Sequence, residues 1–368
     1  MVKKMHIRQI KILDTTIGCL GVFMLPVPVQ SNHLSNQLSL LLIRPGGIGD
    51  AVLLVPAIRA LKKINPHVHI TIMAEQRNGG IFQLISGVDS ILCYDRPREF
   101  IHALRGRYDV VIDTEQWHRL SAVVARLVRA PVKIGFDTNE RRRMFTHLVP
   151  YSHDDYETAS FRRLLVPLGL DDGLVDWGAP FLALPVSASV KAAGLLEPLD
   201  GKPFVVVFPG ASIPERRWGA ERFSSVARRL VENGYRIVVV GGYEDRAEGE
   251  IIARAGGLNL SDLTTLAETA AVISRSRLVI SGDSGVLHMA VGLDVPTVSL
   301  FGPGIAAKWA PRGEKHIVIN KSLPCSPCTK FGNTPKCLLY ARCMAEISVD
   351  EVANAVERLL GLQGKPEV

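Results

Sequence analysis

Twice along this chain, short apolar runs of strand character alternate with amphipathic helix patterns, and between the two series the rhythm stops. Such alternation builds a parallel sheet, because parallel neighbours need a crossover and a helix is the usual one. The first series predicts strands at Leu40–Arg44, Val68–Met73, Ser90–Tyr94, Asp109–Asp113 and Val132–Gly135, with a first helix over Asp50–Ile64. The second predicts strands at Phe204–Phe208, Arg236–Val240, Leu278–Ser281 and Thr297–Leu300, and a terminal helix over Val349–Leu360. The stretch 151–203 carries one helix pattern and then turn-rich text, which puts a domain boundary near 185–202. A closed eight-fold barrel needs no such break. Two doubly wound, Rossmann-like α/β domains facing across a cleft fit the pattern, with ligands at the carboxyl ends of the strands. The domains then run over 39–190 and 200–345, preceded by an extension, 1–38, and followed by a C-terminal helix segment, 346–368.

The length of 368 residues suits two domains, and 47% apolar with 21% charged residues excludes a disordered chain. Lys3, Lys4, Arg8 and Lys11 precede a mostly apolar run, 17–29, which is too short to span a bilayer. The pattern suits a helix lying on an anionic membrane face. It also suits a signal-peptide core, although Pro28-Val29-Gln30-Ser31 offers no clean cleavage site, or a plain extension. Residues 96–143 hold eleven Lys/Arg against six Asp/Glu and end in Arg141-Arg142-Arg143. That basic run is either a solvated helix face or an attraction for an acidic acceptor or an anionic membrane. Aromatic residues are sparse within it, which speaks against nucleic acid.

Three strand ends carry functional residue types. The first is Arg44-Pro45-Gly46-Gly47-Ile48-Gly49-Asp50. Gly46, Gly47 and Gly49 permit a tight turn and close approach of a ligand, but the spacing is neither a dinucleotide fingerprint nor a P-loop. Asp50, at the start of a helix, reads as an N-cap. It also reads as a carboxylate able to take a proton from an attacking hydroxyl, and one residue can serve both roles. The second is Phe208-Pro209-Gly210-Ala211-Ser212, followed by Arg216, Arg217 and Trp218. Guanidinium groups beside a strand end suit a diphosphate; the alternative is a solvated basic turn with Trp218 packed inward. The third is Gly282-Asp283-Ser284-Gly285, opening a helix that carries His288 one turn on. Exposed N–H groups and the positive dipole end make such a start an anion site.

The sequence has no Asp-x-Asp pair and no zinc-spaced histidines, so a leaving diphosphate would be stabilised by protein donors with no cofactor and no metal. Cys325, Cys328, Cys337 and Cys343 can be written as a four-thiolate metal site, but the wide second spacing favours reduced thiols packing a loop.

In order and spacing, Ile43–Asp50, Phe208–Ser212 with Trp218, and Gly282–Gly285 with His288 resemble glycosyltransferase family 9, the lipopolysaccharide heptosyltransferases. The resemblance spans about residues 40–360. It implies a GT-B fold, with the first domain binding the acceptor and the second the donor. It also implies inverting, metal-independent transfer of heptose from ADP-heptose to an acidic lipopolysaccharide core, by a cytoplasmic enzyme peripheral to the inner face of the inner membrane. By position, Asp50 matches the general base, Ser212 and Arg216 contacts to the donor phosphates, and Glu244 a ribose partner. Asp283, Ser284, Gly285 and His288 match the donor-binding helix start. Arg216 stands where a lysine is common in the family. A nucleotide-sugar epimerase or hydrolase on the same fold, or a non-catalytic nucleotide-sugar or lipid-binding protein, is the alternative.

Overall fold

The computed structural model describes residues 12–28, 38–170, 178, 180–330 and 332–362. Lys3, Lys4, Arg8 and Lys11, the stretch 29–37 of the extension, residues 171–177 and 179 of the turn-rich text and the last six residues lie outside the described residues. The chain divides into two compact units, Met1–Trp177 and Gly178–Val368.

The first unit is a six-stranded parallel sheet in the order β3-β2-β1-β4-β5-β6. Its strands are β1 (Ser39–Ile43), β2 (His69–Ala74), β3 (Ser90–Cys93), β4 (Val110–Asp113), β5 (Val132–Phe136) and β6 (His147–Val149). The second unit orders β12-β11-β10-β7-β8-β9, the same doubly wound arrangement. Its strands are β7 (Phe204–Phe208), β8 (Arg236–Val239), β9 (Gly257–Asn259), β10 (Leu278–Gly282), β11 (Thr297–Phe301) and β12 (His316–Asn320). In each unit the strand order reverses direction between two central strands, β1 and β4 in one, β7 and β10 in the other. That switch point is where ligands of open α/β sheets bind.

Both faces of each sheet are covered, so the strands are apolar throughout rather than alternating. Leu41, Ile43 and Val111 pack with Ala122, Val123 and Phe145 on one side of the first sheet. Leu42 and Ile112 meet Leu54, Ile58 and Phe161 on the other. In the second unit Val205, Val207, Ile237, Ile280 and Val298 pack against Phe223, Val226 and Leu230, together with Val352 and Val356 of helix Val349–Leu360. That helix therefore belongs to the second core and is not a separate appendage.

The boundary near 185–202 is corrected. Residues Val186–Leu196 form a helix packed on helix Leu266–Ile273 of the second unit. Its buried positions are Ala188 and Ala192, while Val186 and Val190 face solvent, so its apolar stripe is carried by alanines.

Candidate functional site

β1 ends at Ile43, and the chain turns through Gly46 at φ +101°, a conformation that favours glycine. The turn is held from the start of the helix after β2: the Gly46 N–H donates to Glu75 Oε1 at 3.2 Å and the Asn78 amide donates to the Arg44 carbonyl at 3.2 Å. Helix Ile48–Ile64 follows, and its N-cap is Gly47, with no side-chain capping bond. Asp50 is three positions inside the helix, not at the cap. The reading of Asp50 as N-cap is thereby corrected: the cap position falls on a glycine, and the carboxylate is left to other partners. Its Oδ2 lies 4.0 Å from a guanidinium nitrogen of Arg44, and its side chain is 30% exposed.

Arg44 itself is buried. It donates to the carbonyls of Pro45 (2.7 Å) and Thr114 (2.9 Å) and pairs with Glu115 at 3.4 Å. Burial favours its neutral form, but the carboxylates of Asp50, Glu115, Glu157 and Asp113 outweigh that and hold its pKa above the usual arginine value. Behind it, buried Asp113 at the end of β4 pairs with buried Arg141 at 2.5 Å. Burial raises the Asp113 carboxyl despite Arg141. Glu115 is also buried, yet Arg44, His118 and Arg141 hold it below the usual carboxylate range. The Tyr151 hydroxyl donates to Glu157 at 3.1 Å; burial first, then the Glu157 and Asp50 carboxylates, push its pKa well up.

Arg141 therefore cannot serve a basic surface. Of the run 96–143, Arg141 and Lys133 are buried, and Arg96, Arg119 and Arg142 are ion-paired with Glu99, Glu140 and Asp137. These pairing acids lie within the same run and are already counted in it, so the net excess of positive charge remains, carried by its other arginines.

In the second unit, β7 runs into the Pro209–Ser212 turn and a short 3₁₀ turn, Pro214–Arg216. Ser212 is exposed. Arg216 pairs with Asp283, the residue after β10, at 2.9 Å. The Arg216 Nε and Asp283 Oδ2 are buried and make no hydrogen bond. Gly304, after β11, leaves room for this carboxylate: a Cβ there would crowd Asp283 Oδ2 and force it to shift. Arg217 does not share the role of Arg216: it is held by Asp245 (3.1 Å) and Glu248 (2.6 Å). Trp218 packs inward, its indole N–H on the Ile347 carbonyl at 3.0 Å and its ring edge-on to Phe223.

Ser284 caps helix Gly285–Gly292. Its hydroxyl accepts the Leu287 N–H at 3.2 Å and shares a hydrogen bond with Ser281 at 2.7 Å. Gly285 is the first helical residue, where a missing Cβ leaves the N–H groups accessible. His288, one turn on, is 4% exposed and so lies in the wall of the unit. Glu244 is exposed on the 3₁₀ turn Tyr243–Asp245 after β8, the strand beside β7. The structure thus brings Ser212, Arg216, Asp283, Ser284, Gly285 and Glu244 to the carboxyl end of one sheet, and Gly46, Gly47, Gly49 and Asp50 to that of the other.

The four clustered cysteines are free thiols on the wall of one cavity of about 360 Å³. Among the described residues no group of three or more His, Cys, Asp or Glu is placed to hold a metal ion. Burial raises the Cys328 and Cys343 thiols.

With the geometry fixed, residues 98–339 match glycosyltransferase family 9 (heptosyltransferase). The chain belongs to that family. It is a glycosyltransferase. It is 27% identical over 287 residues to lipopolysaccharide heptosyltransferase 3 of Escherichia coli, covering 72% of this chain and 83% of that one. The family 9 glycosyltransferase from Veillonella parvula superposes with a TM-score of 0.75 at 22% identity, covering 90% of this chain and all of the other. Escherichia coli heptosyltransferase WaaC, solved with ADP-2-deoxy-2-fluoro heptose, gives a TM-score of 0.67 at 18% identity over 87% and 99% of the two chains. These likenesses show the GT-B fold.

Within this family 9 chain, the sequence left out the buried charges that support Asp50. Asp113-Thr114-Glu115 follows the apolar β4 directly, and a run of polar residues with no turn glycine at a strand end was the available signal. Arg141, Tyr151 and Glu157 gave none, since each is brought in from a distant segment.

Proposed function

We infer that this glycosyltransferase moves heptose from ADP-heptose to an acidic lipopolysaccharide core acceptor, with inversion at the anomeric carbon and without a metal ion. The observation that carries the reading is Asp50: a partly exposed carboxylate at the switch point of the first unit, released from capping and set beside a buried guanidinium. The names of the similar proteins, including one solved with an ADP-heptose analogue, support the substrate class.

Asp50 accepts the proton of the acceptor hydroxyl as its oxygen bonds to the anomeric carbon. The bond from that carbon to the diphosphate oxygen breaks, and ADP leaves carrying the negative charge. Arg216, with a buried N–H free of hydrogen bonds, and the Ser284–Gly285 helix start receive that charge. Ser212 contacts the phosphates, Asp283 orients Arg216, and Glu244 holds the ribose. His288 supports the helix start from within. Arg44 keeps the Asp50 carboxylate in place, and Gly46, Gly47 and Gly49 allow the acceptor close to the backbone. Such a donor and acceptor place the enzyme at the cytoplasmic face of the inner membrane.

The test is transfer from a panel of ADP- and UDP-sugars to truncated core lipids, with the anomeric configuration of the product read by NMR. ADP-heptose should be the best donor, the product inverted, and the rate unchanged in excess EDTA. Retention of configuration, preference for a UDP-hexose, or a loss restored by magnesium or manganese contradicts the corresponding part.

A further inference from the structure

Ahead of the first sheet, residues 12–28 form a helical segment: a π turn, Asp14–Gly18, runs into helix Cys19–Met24. One side of it is fixed to helix Arg119–Leu127. Buried Asp14 accepts the Leu120 N–H at 2.7 Å and lies 3.4 Å from His118 Nδ1. Burial would raise the Asp14 carboxyl, but His118 and the Leu120 N–H outweigh it and hold it low, so the latch is charged at neutral pH. Val22 is fully buried, and Gly21 lies so close to Val123 that a Cβ would come within 2.9 Å of it. Arg126 Nε donates to the Pro26 carbonyl at 2.9 Å and ties down the far end.

The other side is apolar and uncovered. Ile17, Leu20, Phe23, Met24 and Val27 are 55–79% exposed on a segment of seventeen described residues. A stripe this dense is unusual for a surface helix with no partner. Cations border it: the Arg143 guanidinium stands 5.4 Å from the Phe23 ring, and Arg142 beside it, paired through Nε with Asp137 at 3.1 Å, is still 57% exposed. In the sequence, Lys3, Lys4, Arg8 and Lys11 precede the segment, with no acid before Asp14. No helix among the described residues is long and apolar enough to cross a membrane.

We propose that this segment is a preformed docking face for an anionic phospholipid surface, with its apolar side chains at the acyl boundary and its rim of arginines on the headgroup phosphates. Charge complementarity selects this occupant. A second copy of the chain would set the same cations against each other, whereas a phosphate-rich surface accepts them. Because the helix is latched to the first unit, the bilayer would orient that whole unit. The proposal does not rest on the sugar-transfer reading, and either can fail alone.

The experiment is co-sedimentation of the full chain with vesicles of phosphatidylglycerol and phosphatidylethanolamine, against vesicles of phosphatidylcholine. The protein should partition onto the anionic vesicles, less so at high salt. Leu20→Glu with Phe23→Glu should weaken partitioning by about tenfold or more, with an unchanged melt because both side chains are exposed. Arg142→Ser with Arg143→Ser should remove the preference for anionic lipid. Leu338→Glu with Leu339→Glu, on another exposed apolar stretch, should change nothing. Full vesicle binding by the Leu20/Phe23 variant overturns the proposal. So does a chain that ignores vesicles but forms dimers that this variant disperses, which would make the face an interface between copies.

Discussion

The two units repeat one strand order but finish their switch points differently. In the first, the space beyond β1 and β4 is filled with buried ionisable side chains: Arg44, Asp113, Glu115 and Arg141 interlock, and Asp50 stands at their edge. In the second, the space beyond β7 and β10 is mostly backbone. It holds a glycine-rich turn, a helix start capped by Ser284, and the ion pair Arg216–Asp283, in which the Arg216 Nε makes no hydrogen bond, with Arg217 paired to Asp245 and Glu248 alongside. A completed charge network fixes one carboxylate in position before any ligand arrives. The second unit leaves one buried donor, the Arg216 Nε–H, without an acceptor, and the proposed function assigns it to the leaving diphosphate. In the proposed function the first would hold the base and the second the leaving group.

The contrast predicts opposite responses to substitution. The largest effect on stability belongs to the first unit. Arg141→Met leaves Asp113 buried without its partner, and breaking such pairs costs about 3–5 kcal/mol. A chemical denaturation curve should register that loss, whereas less than 1 kcal/mol would mean that the network is decorative. In the second unit Ser284→Asp keeps a good cap, so the melt should hold. The added charge should oppose a diphosphate and lower ADP affinity by about tenfold to a hundredfold, or roughly 1.4–2.7 kcal/mol. Unchanged ADP binding in calorimetry removes this helix start from the donor site.

A smaller, pH-dependent effect concerns Lys133, whose Nζ donates to the Ala125 carbonyl at 2.8 Å and to that of Val128 at the end of helix Arg119–Leu127. Burial lowers its pKa from 10.5 to about 8. Between about pH 8 and 10.5 the unfolded chain therefore holds the proton that the folded chain has released. Stability should rise with pH across that window, and the penalty is fully present below it. Melts of wild type and Lys133→Met, compared from pH 7.5 to 10, should diverge in that sense. Parallel curves contradict the shift.

The central strands of both sheets were legible because they are buried on two faces and read as unbroken apolar runs. Three of the four edge strands were not. β6 and β9 are three residues long, and β12 (His316–Asn320) lies just before the cysteine-rich loop. Short edges carry too few residues to show a period, and keeping them short limits unwanted pairing. Helix Val186–Leu196 was lost because alanines mark its buried stripe. Around the candidate site, the strand-end motifs could be read as contiguous text, while Arg141 read as surface charge and Arg217 as a phosphate ligand. Their carboxylate partners, Asp113, Asp245 and Glu248, are far off in sequence, and linear spacing says nothing about such pairs.

The most direct test of the account is Asp50→Asn. Asp50 is not the cap, so the change removes a first-turn charge from the helix dipole, worth about 0.3–1 kcal/mol, and one of the carboxylates facing buried Arg44, which keeps its pair with Glu115. The melt should move little, and ADP affinity should stay within about tenfold. Turnover at saturating donor and acceptor should nevertheless fall by about 10²–10⁴-fold, because an amide cannot take the hydroxyl proton. A folded variant that binds ADP normally and retains near wild-type turnover would contradict the claim that this carboxylate is the base.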